Sequence, residues 1–201
     1  MENLTQLTVN SFINLLASNA PAPGGGSVAA LTGAMGVGLI EMVTKLTIGR
    51  KKYAEYEELM QEISAETAQI RKNLTESIDK DTQAYNAVSA VFAMPKSNEA
   101  EKSARAAAMQ DALKGAALVP FEVMGFCMEG LEMAKRAMGK SNPNAASDLG
   151  VAGLNLIATC KSAWKNVDIN LSGIKDEKFV AEYRNLGLGI LQNLKEYENI
   201  F

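Results

Sequence analysis

Histidine is absent from this 201-residue sequence, and its absence narrows the chemistry the protein can perform. Histidine is the commonest general base near neutral pH, the usual base of a catalytic triad and the commonest metal ligand. Any reaction must therefore use carboxylates, lysines, tyrosines, hydroxyls or backbone amides. We expect neither a metal site nor a bound cofactor.

Cysteine and excess basic charge are also scarce. Cys127 and Cys160 are the two cysteines, too few and too isolated for a disulfide framework or a zinc site. The formal net charge is -3, whereas nucleic-acid-binding proteins carry a basic stripe or patch. The sequence therefore predicts a reduced, cytoplasmic protein with no nucleic-acid partner.

Long apolar segments are missing as well. The first twenty residues, "MENLTQLTVNSFINLLASNA", carry no basic leader and no continuous apolar run of the signal-peptide type. The most apolar window, residues 28–40, is shorter than the ~20 residues needed to cross a bilayer, and Glu41 follows it. We interpret this window as a buried helix and expect no membrane partner.

Helical periodicity fills almost all of the remaining sequence, and no segment alternates like a strand. Ser27 is predicted to cap the second helix, Ser97 or Asn98 the fourth, and Pro120 is predicted to kink the fourth. The sequence therefore predicts one all-α domain over residues 1–201, an up-and-down bundle of long helices. The predicted helices span about residues 4–17, 27–48, 50–94, 99–140, 145–167 and 177–197.

One carboxylate falls where the helical pattern calls for a hydrophobic residue. The pattern has spacings of four and three, so Asp81 should face inward, while Asp79 lies roughly 200° around the helix and should not pair with it. A buried carboxyl keeps its proton to higher pH and can protonate a leaving group. Alternatively, Asp81 pairs with a lysine, caps a neighbouring helix or sets the packing register. The positions are Leu74, Ile78, Asp81, Tyr85, Val88 and Phe92.

A triple glycine precedes the second predicted helix in "NAPAPGGGSVAAL", residues 19–31. Gly24, Gly25 and Gly26 leave backbone N–H groups unblocked at a positive helix end, which suits a carboxylate or phosphate. The segment is neither a P-loop nor a dinucleotide fingerprint, because it has no Lys-Ser/Thr pair and no preceding strand. A plain turn between two helices is an equally good interpretation.

Several other polar residues stand near predicted helix ends. Arg50 in "GRKKY" and Lys96 in "MPK" could attract an anionic group, although each alone is typical of a solvated surface. Asn166 and Asn170 in "NVDIN" can donate and accept hydrogen bonds, or can simply form a polar turn. Asp148 in "SDLG" is predicted to cap the helix that follows it.

The length of the helix predicted for residues 50–94 favours a dimer. A helix of roughly 45 residues is about 65 Å long, more than a compact monomer of this size can cover. We therefore expect part of this helix to contact a second copy of the chain.

The sequence contains, in order, the blocks "APGGGSVAAL", "LTIGRKKY", "IDKDTQAYNAV…MPK", "VPFEV", "SDLGVAG" and "NVDINLSGIKDEKF". From about Leu4 to the last helix it resembles the cyclodeaminase domain of formiminotransferase-cyclodeaminase and its stand-alone bacterial relatives. The resemblance implies an all-helical homodimer that cyclises 5-formimino-tetrahydrofolate to 5,10-methenyl-tetrahydrofolate with release of ammonia. A methenyl-tetrahydrofolate cyclohydrolase, as some stand-alone members are assigned, is the alternative. A non-catalytic folate-binding helical dimer is the second alternative.

The resemblance also implies roles for particular residues. The family's proton-donating aspartate is the second acid of its "D-x-D" block, which falls on Asp81. The substrate would be a folate, with or without a polyglutamate tail. After N10 attacks the formimino carbon, the departing nitrogen would take its proton from Asp81. Candidate substrate contacts are Gly24, Gly25, Gly26, Ser27, Arg50, Lys96, Asn166 and Asn170.

Overall fold

Six α-helices make up the fold in a computed structural model that describes residues 3–201, and this range contains no strand. The prediction of an all-α bundle is confirmed. Three short 3-10 helices span Leu4–Gln6, Lys51–Tyr56 and Pro143–Ala145. The α-helices are α1 (Val9–Leu16), α2 (Gly25–Lys45), α3 (Glu57–Phe92), α4 (Glu99–Ala137), α5 (Ala146–Leu171) and α6 (Glu177–Glu198).

Helix α2 forms the centre of the bundle, packed against α3, α4 and α5. Two of its glycines allow α3 and α5 to pack closely against α2. A Cβ at Gly33 would lie 3.3 Å from the Leu74 side chain of α3, and one at Gly36 would lie 3.1 Å from the Ala152 carbonyl of α5. By length and composition α2 could cross a membrane, but 61% of its apolar window is buried inside the protein. This burial is typical of the core helix of a bundle.

The N-terminal segment does not form the single helix predicted for residues 4–17. Thr8 accepts a hydrogen bond from the Ser11 amide at 3.1 Å and caps α1. Before it, Asp79 of α3 accepts hydrogen bonds from the Leu4 amide at 2.7 Å and the Thr5 hydroxyl at 2.9 Å. These contacts hold the first residues in a separate 3-10 turn.

The long helix predicted for residues 50–94 is shorter in the structure. Gly49 has a φ of +74° and donates its amide to Glu57 at 2.8 Å, and Tyr53 has non-helical backbone angles. Helix α3 therefore starts at Glu57, and its 36 residues span about 54 Å.

Helix α4 runs through Pro120 without interruption. Proline has no N–H, so the carbonyl four residues earlier loses its helical partner. That carbonyl belongs to Ala116, and the Asn170 side chain donates to it at 3.0 Å. The structure thus places a side-chain donor from α5 where the proline removes one from α4. Asn98 caps α4 as predicted, accepting from the Glu101 amide at 2.9 Å.

Helix α5 differs from its prediction at both ends. It begins at Ala146, after a 3-10 turn that starts with Pro143, so Asp148 lies in the first helical turn and does not cap the helix. It ends at Leu171, beyond the predicted end at residue 167. Asn166 and Asn170 consequently lie on one helical face, four residues apart, and not in a polar turn.

The apolar seam predicted along α3 is buried only in its first part. Leu74 and Ile78 are buried, whereas Tyr85 and Phe92 are 44% and 66% exposed. The reason is the position of α2, whose first turn contacts Asp81. Beyond Asp81, α3 no longer has α2 beside it.

Two glycines of α6 allow the packing of α6 against α5 to be tested with a pair of alanine variants. A Cβ at Gly187 would overlap the Trp164 ring, whereas one at Gly189, on the same helix, would meet nothing within 4 Å. We expect Gly187→Ala to lower the free energy of unfolding by about 1–3 kcal/mol. Gly189→Ala should raise it by up to ~1 kcal/mol through helix propensity. Urea denaturation measures both, and equal changes would contradict this packing.

Candidate active site

A cavity opens where α2 begins. Helices α3, α4 and α5 continue past the first turn of α2, and the gap that remains has a volume of about 290 Å³. The triple-glycine segment forms one wall, and Asp81 is the one charged side chain among the described lining residues. The other walls include Thr82, Tyr85 and Val88 of α3, Ala116 of α4, and Asn166, Ile169 and Asn170 of α5.

The Asp81 carboxyl lies against the first turn of α2. Its Oδ2 atom accepts the Ser27 amide at 2.8 Å and lies 3.0 Å from the Ser27 hydroxyl. The predicted cap at Ser27 is wrong, because Gly24 occupies the cap position and Ser27 lies inside the helix. Ser27 is 0% exposed and does not line the cavity, and its hydroxyl also lies 2.9 Å from the Ile78 carbonyl and 3.3 Å from the Thr82 hydroxyl.

The three glycines differ in what they require. A Cβ at Gly26 would overlap the Asp81 carboxyl, so this position needs a residue without a side chain. A Cβ at Gly25 would make ordinary contact with the Asn166 amide at 3.6 Å, and one at Gly24 would meet nothing within 4 Å. Gly26 is therefore the glycine on which the position of the carboxyl depends.

Burial raises the pKa of Asp81 above its ordinary value. The Ser27 hydroxyl and amide act in the opposite direction because they bind the ionised form. The positive end of α2 also favours the ionised form. Desolvation outweighs the hydrogen bonds, so the carboxyl keeps its proton to higher pH than an exposed aspartate does.

Asp79 does not take part in this site. Its two oxygens accept from Leu4 and Thr5 near the N-terminus, on another face of α3. The expectation that the two acids would not form a pair agrees with this geometry.

The two asparagines of α5 reach the cavity with different hydrogen-bonding capacity. Asn166 donates to the Ser162 carbonyl at 3.0 Å. Asn170 donates to the Asn166 carbonyl at 2.9 Å as well as to Ala116. Because both of its N–H groups are used, Asn170 offers a ligand only its oxygen.

Arg50 and Lys96 lie outside this cavity. Arg50 is exposed beyond the far end of α2, which is about 30 Å long. Lys96 is exposed after the end of α3 and borders a separate groove with Phe92, Lys102 and Arg105. A single chain therefore does not bring these two cations to Asp81, and their assignment as substrate contacts stays a prediction.

The cavity contains residues that the sequence analysis did not propose as site residues, notably Thr82, Tyr85 and Ile169. Tyr85 follows Asp81 by four residues, so helical spacing from the acid could have indicated it, whereas Thr82 follows by one residue and has no such signal. Ile169 carries no such signal, because its position depends on how α5 packs.

A second cavity of about 510 Å³ lies elsewhere, bordered by Lys52, Tyr53, Lys140 and Phe201 among others. It is larger, but it contains neither a residue of the glycine block nor Asp81. Its volume alone does not outweigh the buried acid and the adjacent amides of the smaller cavity.

Comparison with known proteins shows the family of the chain. The family model described as formiminotransferase-cyclodeaminase matches residues 8–186. A methenyltetrahydrofolate cyclohydrolase from Methylorubrum extorquens is 42% identical over 175 residues, which cover 87% of this chain and 84% of the relative. The chain belongs to the formiminotransferase-cyclodeaminase family.

Two further relatives define the extent of the likeness to this family. The pig (Sus scrofa) formimidoyltransferase-cyclodeaminase is 31% identical over 194 residues, which cover 96% of this chain but 36% of that protein. The crystal structure of a formiminotetrahydrofolate cyclodeaminase from Thermotoga maritima superposes with a TM-score of 0.80 at 30% identity, covering 98% of this chain and 99% of that one. The likeness to the cyclodeaminase family thus extends over nearly the whole chain.

The raised pKa of Asp81 predicts how stability depends on pH. The unfolded chain ionises this group at lower pH than the folded protein does, so the folded protein loses stability as pH rises through that interval. We expect Asp81→Asn to be more stable than the wild type at pH 7. The difference should disappear as pH falls below the ordinary pKa of aspartate. Urea denaturation across this range measures both effects.

Asp79→Asn is the matched control on the same helix. It replaces one oxygen that accepts from Leu4 or Thr5 with a donor, and should cost about 1 kcal/mol at pH 7. If Asp81→Asn were less stable than the wild type at pH 7, the assigned pKa direction would be wrong.

Proposed function

We propose that the protein is a folate enzyme that forms or opens the one-carbon bridge of 5,10-methenyl-tetrahydrofolate, with Asp81 as the general acid. The main observation in favour is the Asp81 carboxyl, whose pKa is raised and which borders a cavity beside the first amides of α2. The names of the Methylorubrum and Thermotoga relatives support the substrate class.

In the cyclodeaminase reaction, N10 of 5-formimino-tetrahydrofolate attacks the formimino carbon. The resulting tetrahedral carbon bears N5, N10 and the exocyclic nitrogen, and the proton of N10 passes to the exocyclic nitrogen, which becomes an amino group. Asp81 protonates the exocyclic nitrogen, the bond from carbon to that nitrogen breaks, and ammonia leaves the methenyl bridge between N5 and N10. Proton donation matters because an amide anion is a very poor leaving group. The attack is intramolecular, and holding the pterin and the aminobenzoyl arm in the right relative orientation accelerates it.

In the cyclohydrolase reaction, water adds to the methenyl carbon. Asp81 then protonates N5 as the bond between that carbon and N5 breaks, which leaves the formyl group on N10. The water molecule loses both of its protons as its oxygen becomes the formyl oxygen: one balances the proton that Asp81 regains, and the other is released. Both reactions require the same acid beside a tetrahedral carbon of the same ligand, so one site can serve either.

The comparisons change the order in which we favour these reactions. The resemblance alone puts cyclodeamination first. The cyclohydrolase relative is 42% identical over most of both chains, against 30% for the solved cyclodeaminase. We therefore propose hydrolysis of 5,10-methenyl-tetrahydrofolate as the first activity to test and cyclodeamination as the second.

The cavity offers complementary groups for a pterin. The Asn170 oxygen and the Asn166 amide can pair with the N–H groups of the ring edge. The Gly25 and Gly26 amides at the start of α2 have no intrahelical partner and can bind a ring oxygen. Lys96 follows the C-terminal end of α3, beyond Asp81. A glutamate tail that extends from the cavity along α3 would bring its carboxylates toward this lysine.

A homodimer is part of the proposal. Tyr85 and Phe92 continue the apolar seam of α3 but are 44% and 66% exposed, and Ile169 beside the cavity is 68% exposed. Apolar side chains that follow a packing seam into solvent suit a surface covered by a second copy. The second copy could also supply the cations that one chain leaves distant from Asp81.

The dimer can be tested by light scattering after gel filtration. We expect a mass twice the 21.5 kDa of the chain. Phe92→Asp should shift the mass toward that of one chain at low protein concentration, whereas Leu188→Asp, at a 50% exposed position of α6, should not. A wild-type mass of 21.5 kDa would contradict the dimer.

Turnover tests the catalytic proposal. Purified protein is incubated with 5,10-methenyl-tetrahydrofolate and, separately, with 5-formimino-tetrahydrofolate, while loss or appearance of the methenyl absorbance is followed. We expect Asp81→Asn to lower kcat on the preferred substrate by about 100-fold or more, because general-acid catalysis contributes roughly that much. Asp79→Asn should keep turnover within about twofold.

Each outcome separates the alternatives. Loss of methenyl absorbance supports the cyclohydrolase, and its appearance supports the cyclodeaminase. Folate binding without conversion supports the non-catalytic dimer. Full turnover by Asp81→Asn would exclude Asp81 as the acid.

A further inference from the structure

We propose that Ser27 is a positioning residue for the Asp81 acid: it holds Oδ2, so that Oδ1 is the oxygen that carries and delivers the proton. The inference rests on the proposed function, since it concerns how that acid is held. It assigns Ser27 a role other than the substrate contact that the resemblance implied.

The two oxygens of Asp81 have different surroundings. Oδ2 accepts the Ser27 amide at 2.8 Å and has the Ser27 hydroxyl at 3.0 Å. Oδ1 receives no hydrogen bond from residues 3–201. Within that range, Thr159 Oγ1 is the one fully buried side-chain N or O atom without a partner. Oδ1 is therefore not sealed in the protein, and the cavity that Asp81 borders gives access to it.

This asymmetry determines where the proton lies. In a neutral carboxyl, the carbonyl oxygen is the better hydrogen-bond acceptor and the other oxygen carries the hydrogen. Because the Ser27 amide points at Oδ2, Oδ2 is the carbonyl oxygen and Oδ1 carries the proton. The hydrogen then lies on the oxygen that packs beside Gly26 at the cavity wall, and not on the oxygen that accepts the Ser27 amide.

The Ser27 hydroxyl can respond when the proton leaves. Its oxygen lies 2.9 Å from the Ile78 carbonyl, 3.0 Å from Asp81 Oδ2 and 3.3 Å from the Thr82 hydroxyl. The Thr82 hydroxyl can donate to it, so Ser27 has its single hydrogen to share between Ile78 and Asp81. While Asp81 is neutral, that hydrogen can remain on Ile78. When the Oδ1 proton passes to the departing nitrogen, the hydrogen can rotate to the new carboxylate, where a charge-assisted bond is stronger. The carboxylate later regains a proton from solvent through the cavity.

The groups that face Asp81 leave Ser27 as its main partner. Helix α3 contributes Thr82 and Tyr85, α4 contributes Ala116, and α5 contributes Asn166 and Asn170. Tyr85 is the one other titratable side chain among the described cavity residues. No charged side chain from these elements competes with the serine for control of the acid.

Ser27→Ala tests the proposal because it removes the hydroxyl and keeps the amide. For a general acid, kcat falls as pH rises through its pKa. Losing a donor to the ionised form raises that pKa, so the fall in kcat should move to higher pH by about one unit. We expect the plateau kcat to drop several-fold and KM to stay unchanged, because Ser27 does not reach the cavity.

Ser77→Ala is the matched control. Ser77 is another fully buried serine, and its hydroxyl donates to the Asn73 carbonyl at 2.9 Å on the same helix as Asp81. This variant should leave the pH profile where the wild type has it. Ser27→Cys, with a weaker donor, should give an intermediate shift, and it keeps the test available if the alanine variant does not fold.

A carbon-13 titration of the Asp81 carboxyl separates this inference from the proposed function, because it needs no turnover. If the titration moves to higher pH in Ser27→Ala while neither folate is converted, the positioning role stands and the proposed reaction falls. If the wild type turns over a folate but neither the pH profile nor the titration moves in Ser27→Ala, the positioning role is wrong.

Discussion

The contact between the Asp81 carboxyl and the first turn of α2 is the interaction on which the site depends. It requires a residue without a side chain at Gly26, because a Cβ there would occupy the space of the carboxyl. It requires Ser27 to follow, since the amide and hydroxyl of that residue hold Oδ2. It also determines where α2 begins relative to α3, and therefore where the cavity lies.

This contact combines opposing electrostatic effects. Burial favours the protonated carboxyl, whereas the Ser27 donors and the positive end of α2 favour the ionised one. A general acid must give up a proton and regain it, so these opposing effects help: neither the protonated nor the ionised carboxyl is stabilised so strongly that the proton cannot move. The folded protein is less stable at neutral pH as a result, and the tightly packed α2 core helps to offset this cost.

Much of the fold could be predicted from the sequence because it depends on local pattern. Helical periodicity located the six helices, and the spacing of Leu74, Ile78 and Asp81 identified an acid that faces inward. The Asn98 cap followed from its position before a helical run. The helix boundaries were less accurate where a distant residue decides them, as Asp79 does for the segment around Leu4.

The contacts of Ser27 and Asn170, which were both proposed as site residues, and the presence of Ile169, which was not, depend on long-range packing that the sequence pattern does not contain. Ser27 has the character of a helix cap, but α2 begins two residues earlier, and the Ser27 amide and hydroxyl contact Asp81, 54 residues away. From the sequence, Asn170 resembles a residue of a polar turn. In the structure it donates to the Ala116 carbonyl of α4, which has no helical partner because Pro120 lacks an N–H. Ile169 enters the cavity because of how α5 packs.

The most direct test of the account is a crystal structure of the protein bound to 5,10-methenyl-tetrahydrofolate, the ligand common to both reactions. We expect the pterin in the cavity at the start of α2, with a bridge nitrogen about 2.6–3.2 Å from Asp81 Oδ1. A pterin bound instead in the larger cavity beside Lys52 and Tyr53, with Asp81 out of reach, would contradict it.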